Sequence, residues 1–345
     1  MKKQFVLLFS ILLCVGSCAT AKTQGNTENS PYMTREFTAS SIKEVETTTS
    51  GGSITLTGDA DSKAIVEVYI SRDNWSKEKI KQVLDENYTI DINVVSGKLY
   101  ATAKQKTSFF NWNNQGLNIS FKISVPKQVN SDLKTSGGGI QISNLSGSQN
   151  FKTSGGSLAI DNVSGNTNGK TSGGSITVTN SKDNISLKTS GGSITAKDCN
   201  GNIDLKTSGG SLNMSNLTGT IDAATSGGSI TANNIRGTLI TGTSGGSVNL
   251  YDISGNLDAK TSGGNMDVRI KSVNDYVRLS NSGSLNLVLP AGKNYDLSVK
   301  ANSIEASELQ NFRGSRDENS IEGTVGKGGP KINVKSSQRV RLSFE

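Results

Sequence analysis

The chain has 345 residues with no histidine and 33% hydrophobic residues, too apolar for a disordered tail and, at 5% aromatic, too poor in rings for a thick globular core. The absence of histidine excludes a Ser-His-Asp triad and imidazole metal ligands. Without residues 1–17 the chain keeps 34 basic and 29 acidic side chains, and this mild net charge of +5 does not indicate a nucleic-acid-binding protein.

Residues 1–17 have the pattern of an export signal. Lys2 and Lys3 precede an apolar run, Phe5 to Val15, that is too short to span a bilayer. We therefore expect an exported protein.

Two cleavage sites compete at the end of this run. Gly16 and Ser17 before Cys18 resemble a lipobox, in which Cys18 becomes the lipid-attachment residue, whereas Ala19–Ala21 has the Ala-x-Ala form of ordinary secretion. The cysteine stands directly at the end of the apolar run, so we favour a lipid anchor at Cys18. Residues 18–34 are predicted to be a flexible tether.

Residues 35–130 are predicted to be a β-rich cap with one short helix. Ile80, Val83, Leu84 and Tyr88 have helical spacing and place one apolar stripe on a helix of about three turns. The segments with strand character are SITLTG, AIVEVYI, YTIDINVV, GKLYATA and LNISFKISV.

An aromatic segment interrupts this region between two predicted strands. Phe109, Phe110 and Trp112 stand together in a chain with few rings. Exposed, they would stack on a sugar or grip a protein partner. Folded back, they would instead cover the apolar end of the repeats, which is the alternative that we favour.

Residues 131–275 repeat a Thr-Ser-Gly-Gly motif with a period of eighteen residues. The serines that mark the period are Ser136, Ser154, Ser172, Ser190, Ser208, Ser226, Ser244 and Ser262. Apolar residues alternate with polar ones on both sides of the motif, as at Ile194 and Ala196, which predicts two strands in each repeat. Such a period is typical of a solenoid, in which each repeat buries its core against its neighbours.

Two corners are predicted in each repeat. The chain should turn at Gly-Gly, where φ can be positive, and again at an Asn-x-x-Gly sequence such as Asn216 to Gly219. The motif threonines should form an internal ladder of hydroxyls, each satisfying the next coil, and the corner asparagines should bond from repeat to repeat. Cys199 falls in an apolar column and is predicted to be a small buried side chain rather than a reactive thiol.

The predicted fold class is all-β: a single-stranded β-solenoid, or β-helix, with 18-residue coils and an N-terminal β-rich cap carrying one short helix. Residues 276–345 are predicted to be C-terminal β coils and a cap, because strand-like segments continue after the period breaks.

Lysines two places before the motif serine are the most regular polar feature. They form a predicted outward stripe able to meet an anionic glycan or lipid head group: Lys134, Lys152, Lys170, Lys188, Lys206 and Lys260. Aspartates two places earlier, at Asp132, Asp204 and Asp258, would neutralise much of it. We therefore favour a solvated face over a binding site for these lysines.

Two stretches carry a resemblance to a known family: FKISVPKQVNSDLKTSGGGIQISNLSG, which enters the repeats, and GKGGPKINVKSSQRVRL near the end. From Phe37 to Phe344 the chain resembles the putative adhesins, a family of bacterial cell-envelope proteins with a domain of unknown function. It is also similar to the head domain of putative auto-transporter adhesins. The resemblance implies a β-solenoid in a Bacteroidetes-like cell envelope and carries over no catalytic residues.

Three functions follow as hypotheses. The first is a non-enzymatic, lipid-anchored envelope protein of the outer membrane that presents an adhesin-like surface to a glycan or protein partner, with no cofactor. The second is a periplasmic structural or regulatory module; the absence of an acidic cluster after Cys18 favours it somewhat over surface exposure. The third, less favoured, is a β-helical enzyme acting on polysaccharides through Lys, Arg and Asp.

Overall fold

The computed structural model of the protein describes residues 30–106 and 116–345. This part of the chain is all-β except for one α-helix and a 3₁₀ turn at Ala39–Ser41. Pro31–Glu345 form one compact unit, and the boundaries predicted within it stay predictions.

The N-terminal region contains the helix and the first eight strands. Their bounds are β1 (Met33–Thr38), β2 (Glu44–Thr48), β3 (Ile54–Gly58), β4 (Lys63–Ser71), α1 (Lys77–Asn87), β5 (Tyr88–Val95), β6 (Lys98–Gln105), β7 (Asn118–Val125) and β8 (Asn130–Lys134). The predicted helix is confirmed, and Val83 and Leu84 of its apolar stripe are buried, but Tyr88 begins β5 and does not belong to the helix. The Ser76 hydroxyl caps the helix start by accepting a hydrogen bond from the Lys79 N–H at 3.3 Å.

The repeat region forms parallel strands of two lengths. Their bounds are β9 (Ile140–Lys152), β10 (Leu158–Lys170), β11 (Ile176–Thr179), β12 (Lys182–Lys188), β13 (Ile194–Lys197), β14 (Asn200–Lys206), β15 (Leu212–Ala224), β16 (Ile230–Thr243) and β17 (Val248–Thr261). From β9 to β17, residues eighteen positions apart pair directly, as Leu158 does with Ile176 and Ile194 with Leu212.

The C-terminal region contributes eight strands. Their bounds are β18 (Met266–Asn281), β19 (Leu285–Leu289), β20 (Tyr295–Lys300), β21 (Ser303–Ala306), β22 (Phe312–Arg316), β23 (Ser320–Val325), β24 (Lys331–Ser336) and β25 (Arg339–Phe344).

Six of the parallel strands close on themselves. β10 pairs with both β11 and β12, and β15 pairs with both β13 and β14. The pairs β11–β13 and β12–β14 join these two sides. The result is a closed barrel of six parallel strands, and the other strands lie outside it.

The outer strands do not follow chain order. β2 pairs with β6 on one side and with β8 on the other, and β18 pairs with β24. Antiparallel pairs also occur: β1–β4, β4–β7, β5–β6, β20–β23 and β22–β23. Between β17 and β18 the register shifts, so that Val248 pairs with Met266 but Leu257 pairs with Val277.

These pairings correct the predicted fold class. The molecule is an all-β fold with a closed six-strand parallel barrel and outer strands, not a single-stranded β-solenoid of 18-residue coils. The eighteen-residue period reports which residues are neighbours within the repeats. It does not report the antiparallel pairs or the out-of-order strands at either end, and these set the fold class.

The core lies inside the parallel strands. Alternate residues point inward and are fully buried, such as Ile194, Ala196, Ile203 and Leu205. Cys199 is 2% exposed, which confirms its predicted burial.

Glycine is required at two places in each repeat for different physical reasons. At the Asn-x-x-Gly sequence both ends have positive φ, 55° at Asn216 and 122° at Gly219, and Asn216 accepts a hydrogen bond from Asn234 at 2.9 Å as predicted. In Thr-Ser-Gly-Gly, however, φ is not positive at either glycine, and the positive-φ explanation is wrong there. A Cβ at Gly192 would lie 2.1 Å from the Gly174 carbonyl oxygen, so close strand approach requires this glycine.

Candidate functional site

Five of the six predicted lysines share one continuous register. Lys134 pairs with Lys152, Lys152 with Lys170, Lys170 with Lys188, and Lys188 with Lys206. Lys260 is separated from them by Ala224 and Gly242, which occupy the same column. The predicted lysine stripe is therefore present, and it is interrupted between Lys206 and Lys260.

Part of this stripe is neutralised. Lys134 Nζ lies 2.7 Å from Asp132, and Lys188 Nζ lies 3.3 Å from Asp204. Lys206 contacts both Asp204, at 3.3 Å, and Asp222. The predicted neutralisation is thus confirmed at Lys134 and Lys206, where the aspartate of the same repeat is the partner.

The other three lysines are not neutralised. Asp258 lies 3.9 Å from Arg278 and has no ion pair with Lys260. Within the described chain, Lys152, Lys170 and Lys260 are exposed and make no ion pair. Lys152 and Lys170 are direct neighbours on adjacent strands, whose backbones are about 4.8 Å apart. The strands therefore hold two positively charged side chains next to each other.

Asparagine side chains lie beside these lysines and bond to one another. The Asn184 side-chain N–H donates to the Asn166 oxygen at 2.9 Å, and Asn202 donates to Asn184 at 3.1 Å. Asn168 donates to Asn150 at 3.4 Å. We call this surface the amide–lysine face and define it by the residues Asn150, Lys152, Asn166, Asn168, Lys170, Asn184, Lys188 and Asn202.

A shallow groove of about 620 Å³ lies on the amide–lysine face. Asn166, Asn184 and Asn202 line it, together with Lys188, Asp204 and Asp222. Lys152 and Lys170 lie outside its lining. Asn184 and Asn202 each use one of their two N–H donors on a neighbouring amide, and Asn166 uses only its oxygen, so N–H donors remain for a ligand. The groove can therefore donate to hydroxyl oxygens, whereas Asp204 and Asp222 disfavour a carboxylate inside it.

The sequence did not identify these asparagines as candidates. Their signal was available, because Asn166, Asn184 and Asn202 recur every eighteen residues four places before the lysines. An amide array is as typical of a stacked scaffold as of a site. Only the groove and the unpaired lysines beside it distinguish the two.

The remaining candidate residues lie outside the described residues. These are the aromatic side chains Phe109, Phe110 and Trp112, and the lipid-attachment candidate Cys18. Their predicted roles stay predictions.

Residues 30–106 and 116–345 contain no cluster of three or more His, Cys, Asp or Glu side chains that could hold a metal ion. In those residues no helix is long and apolar enough to cross a membrane. Burial raises the pKa of the Cys199 thiol, whose sulfur lies 3.2 Å from the Lys197 carbonyl oxygen.

Comparison with family models gave no match, and comparison with curated proteins gave none. Three solved structures are similar to the chain. A putative cell adhesion protein from Clostridium sporogenes is 9% identical, covers 91% of this chain and 99% of its own, and has a TM-score of 0.22. A putative adhesin from Bacteroides fragilis is 16% identical, with 74% and 95% covered and a TM-score of 0.31.

The third is a putative lipid binding protein from Parabacteroides distasonis, 14% identical, with 91% of this chain and 97% of its own covered and a TM-score of 0.31. Identities of 16% or less with TM-scores of 0.31 or less establish neither a family nor a function.

Proposed function

We propose that the protein is a non-enzymatic binding protein of the cell envelope, and that its amide–lysine face binds an acidic glycan. The observation that carries this proposal is the pair Lys152 and Lys170, exposed side by side without an ion pair next to hydrogen-bonded asparagine amides. Like charges directly opposite each other on neighbouring strands are destabilising, and an anion that bridges them removes this cost.

A purely protective role explains these two lysines less well. Charged side chains guard exposed sheet edges against pairing with other chains. β10, which carries Lys170, is paired on both sides, with β9 and with β12. There is no free edge at this position for the lysine to protect.

The chemistry of the neighbouring groups favours a sugar over a simple ion. A polysaccharide presents hydroxyls along its length, and the groove lined by Asn166, Asn184 and Asn202 offers amide donors and acceptors at each strand spacing. The ammonium groups of Lys152 and Lys170 would meet the carboxylate or sulfate groups of the same polymer.

The test is retention of the purified protein on immobilised polysaccharides, with polygalacturonate as the acidic polymer and dextran as the neutral one. We expect retention on polygalacturonate that weakens as salt is added, and no new reducing ends after prolonged incubation. Failure to bind polygalacturonate at low salt would contradict the binding proposal, and release of new reducing ends would support the enzyme hypothesis instead.

We also propose export and a lipid anchor at Cys18, on the sequence pattern of residues 1–18. Protease treatment of intact cells that express a tagged copy tests where the anchored protein lies, with Cys18→Ser as the control. Cleavage on whole cells supports an adhesin-like role at the surface. Protection until the outer membrane is opened supports a periplasmic module.

A further inference from the structure

A second polar cavity lies at the C-terminal end of the parallel strands. It has a volume of about 720 Å³ and is lined by residues of β17, β18, β20, β23 and β24 and of the turns that follow them. Among its lining residues are the serines Ser262, Ser280, Ser282, Ser320 and Ser337. We call it the C-terminal cavity; it shares no residue with the amide–lysine face.

Two lysines line the C-terminal cavity as direct neighbours. Lys300 pairs with Lys335 on the adjacent strand, and Lys335 pairs on its other side with Ser280. Both lysines are exposed, and neither makes an ion pair with any described residue. No aspartate or glutamate lines the cavity, so its charge is positive.

Asn281 is the buried polar residue of this cavity. Asn281 stands at the position that threonine occupies in the preceding repeats, and it pairs with Thr261 of the neighbouring strand. Its side-chain N–H₂ donates to the carbonyl oxygens of Gly283 at 2.8 Å and Ser284 at 3.0 Å. Asn281 is 6% exposed, and its side-chain oxygen has no hydrogen-bond partner.

This unpartnered oxygen is a departure from the repeat. Thr261 satisfies its own hydroxyl fully, since it donates to the Gly246 carbonyl oxygen at 2.7 Å and accepts from the Gly264 N–H at 3.2 Å. Buried acceptors are nearly always satisfied in folded proteins, so this oxygen lacks a donor. The oxygen has almost no accessible surface, so a ligand hydroxyl in the cavity reaches it only after the Asn281 side chain rotates.

We propose that the C-terminal cavity binds one acidic sugar unit. Lys300 and Lys335 hold its carboxylate or sulfate group, the serine hydroxyls bind its ring hydroxyls, and one hydroxyl donates to Asn281. No aromatic side chain lines the cavity, which disfavours a nucleotide base because bases are usually held by stacking. This site is additional to the amide–lysine face and does not depend on it.

The test is calorimetric titration of the full chain carrying Lys152→Gln and Lys170→Gln, which removes the lysines of the amide–lysine face, with glucuronate, glucose and inorganic sulfate as separate probes. We expect glucuronate to bind at least about tenfold more tightly than either of the others, because a charge-assisted contact and the hydroxyl contacts are both needed. Equal binding of sulfate and glucuronate would overturn the sugar assignment, and equal binding of glucose and glucuronate would overturn the role of the lysines.

Variants separate this site from the amide–lysine face. Lys300→Gln with Lys335→Gln should weaken glucuronate binding about tenfold or more, and Asn281→Thr, which restores the residue of the repeat, should weaken it without lowering the thermal midpoint. Lys271→Gln, an exposed lysine of β18 outside the cavity, should leave it unchanged. Full glucuronate affinity in the Lys300, Lys335 double variant would overturn the proposal.

Discussion

The hydroxyl of Thr189 donates a 2.8 Å hydrogen bond to the carbonyl oxygen of Gly174 in the preceding repeat. The same hydroxyl accepts the N–H of Gly192 at 3.3 Å. The motif threonines repeat this relationship along the stack, from Thr153 with Gly138 to Thr261 with Gly246. The threonines thus bond to glycine carbonyls of the neighbouring repeat, as predicted, and they satisfy backbone groups that are partly buried.

Replacing Thr189 by valine should lower the free energy of unfolding by about 0.5–1.5 kcal/mol, because it leaves the partly buried Gly174 carbonyl without its side-chain donor. Thr189→Ser keeps the hydroxyl and should cost less. Urea unfolding of the two variants measures the difference. Equal stability of the valine and serine variants would contradict the role given to this hydroxyl.

The two glycines of one motif should differ sharply in their tolerance of alanine. A Cβ at Gly192 would lie 2.1 Å from the Gly174 oxygen, whereas one at Gly191 would lie 3.5 Å from the Gly173 oxygen, an ordinary contact. We expect Gly192→Ala to cost about 3 kcal/mol or more and Gly191→Ala less than about 1 kcal/mol. Thermal or urea unfolding of this matched pair is the measurement, and similar losses would show that strand spacing adapts to the added carbon.

Cys199 should be inert in the folded protein. The side chain is 2% exposed, and burial raises the pKa of its thiol, so both access and the thiolate fraction are low. We expect no alkylation of Cys199 by iodoacetamide at pH 8 until the protein is unfolded in urea, measured by mass spectrometry of the peptide that contains it. Rapid alkylation under native conditions would mean that the thiol is accessible.

Tyr295 should make stability depend on pH in alkaline solution. Burial raises its pKa to about 12, and its hydroxyl donates to the Pro290 carbonyl oxygen at 3.0 Å. Since the pKa of an unfolded tyrosine is about 10, the folded state retains the proton more strongly. Its contribution is therefore complete below about pH 10 and is lost as the pH rises towards 12.

The measurement compares the unfolding free energy of the native protein with that of Tyr295→Phe at several pH values. The difference between the two should shrink by about 2 kcal/mol or somewhat more between pH 9 and 12, whatever its value at neutral pH. A difference that is independent of pH would mean that this hydroxyl titrates as it does in the unfolded chain.

The helix and the strands could be predicted from the sequence, because the spacing of apolar residues within one segment indicates them. Helix α1 follows from the helical spacing of Ile80, Val83 and Leu84. The buried positions of the repeat strands follow from the alternation of apolar and polar residues, as at Ile194 and Ala196. The pairing of residues eighteen positions apart follows from the period itself.

The fold class could not be predicted in this way, because it depends on contacts between distant segments. Val45 pairs with Leu99 on one side and Ser131 on the other, and Val277 pairs with Ile332. The eighteen-residue period does not relate these residues to one another. The period therefore predicts neither the order of the end strands nor their antiparallel partners. The candidate sites depend on equally distant neighbours, such as Lys300 and Lys335.

The most direct test of the proposed function is the dissociation constant of polygalacturonate for three proteins that all carry Lys300→Gln and Lys335→Gln, so that the C-terminal cavity does not contribute. The first has no other change, the second adds Lys152→Gln and Lys170→Gln, and the third adds Lys271→Gln as a control with the same type of change elsewhere. We expect the Lys152→Gln, Lys170→Gln double variant to bind about tenfold more weakly than the first protein and the control to match it. Unchanged affinity in the double variant, with its fold intact, would contradict the claim that the amide–lysine face is the binding surface.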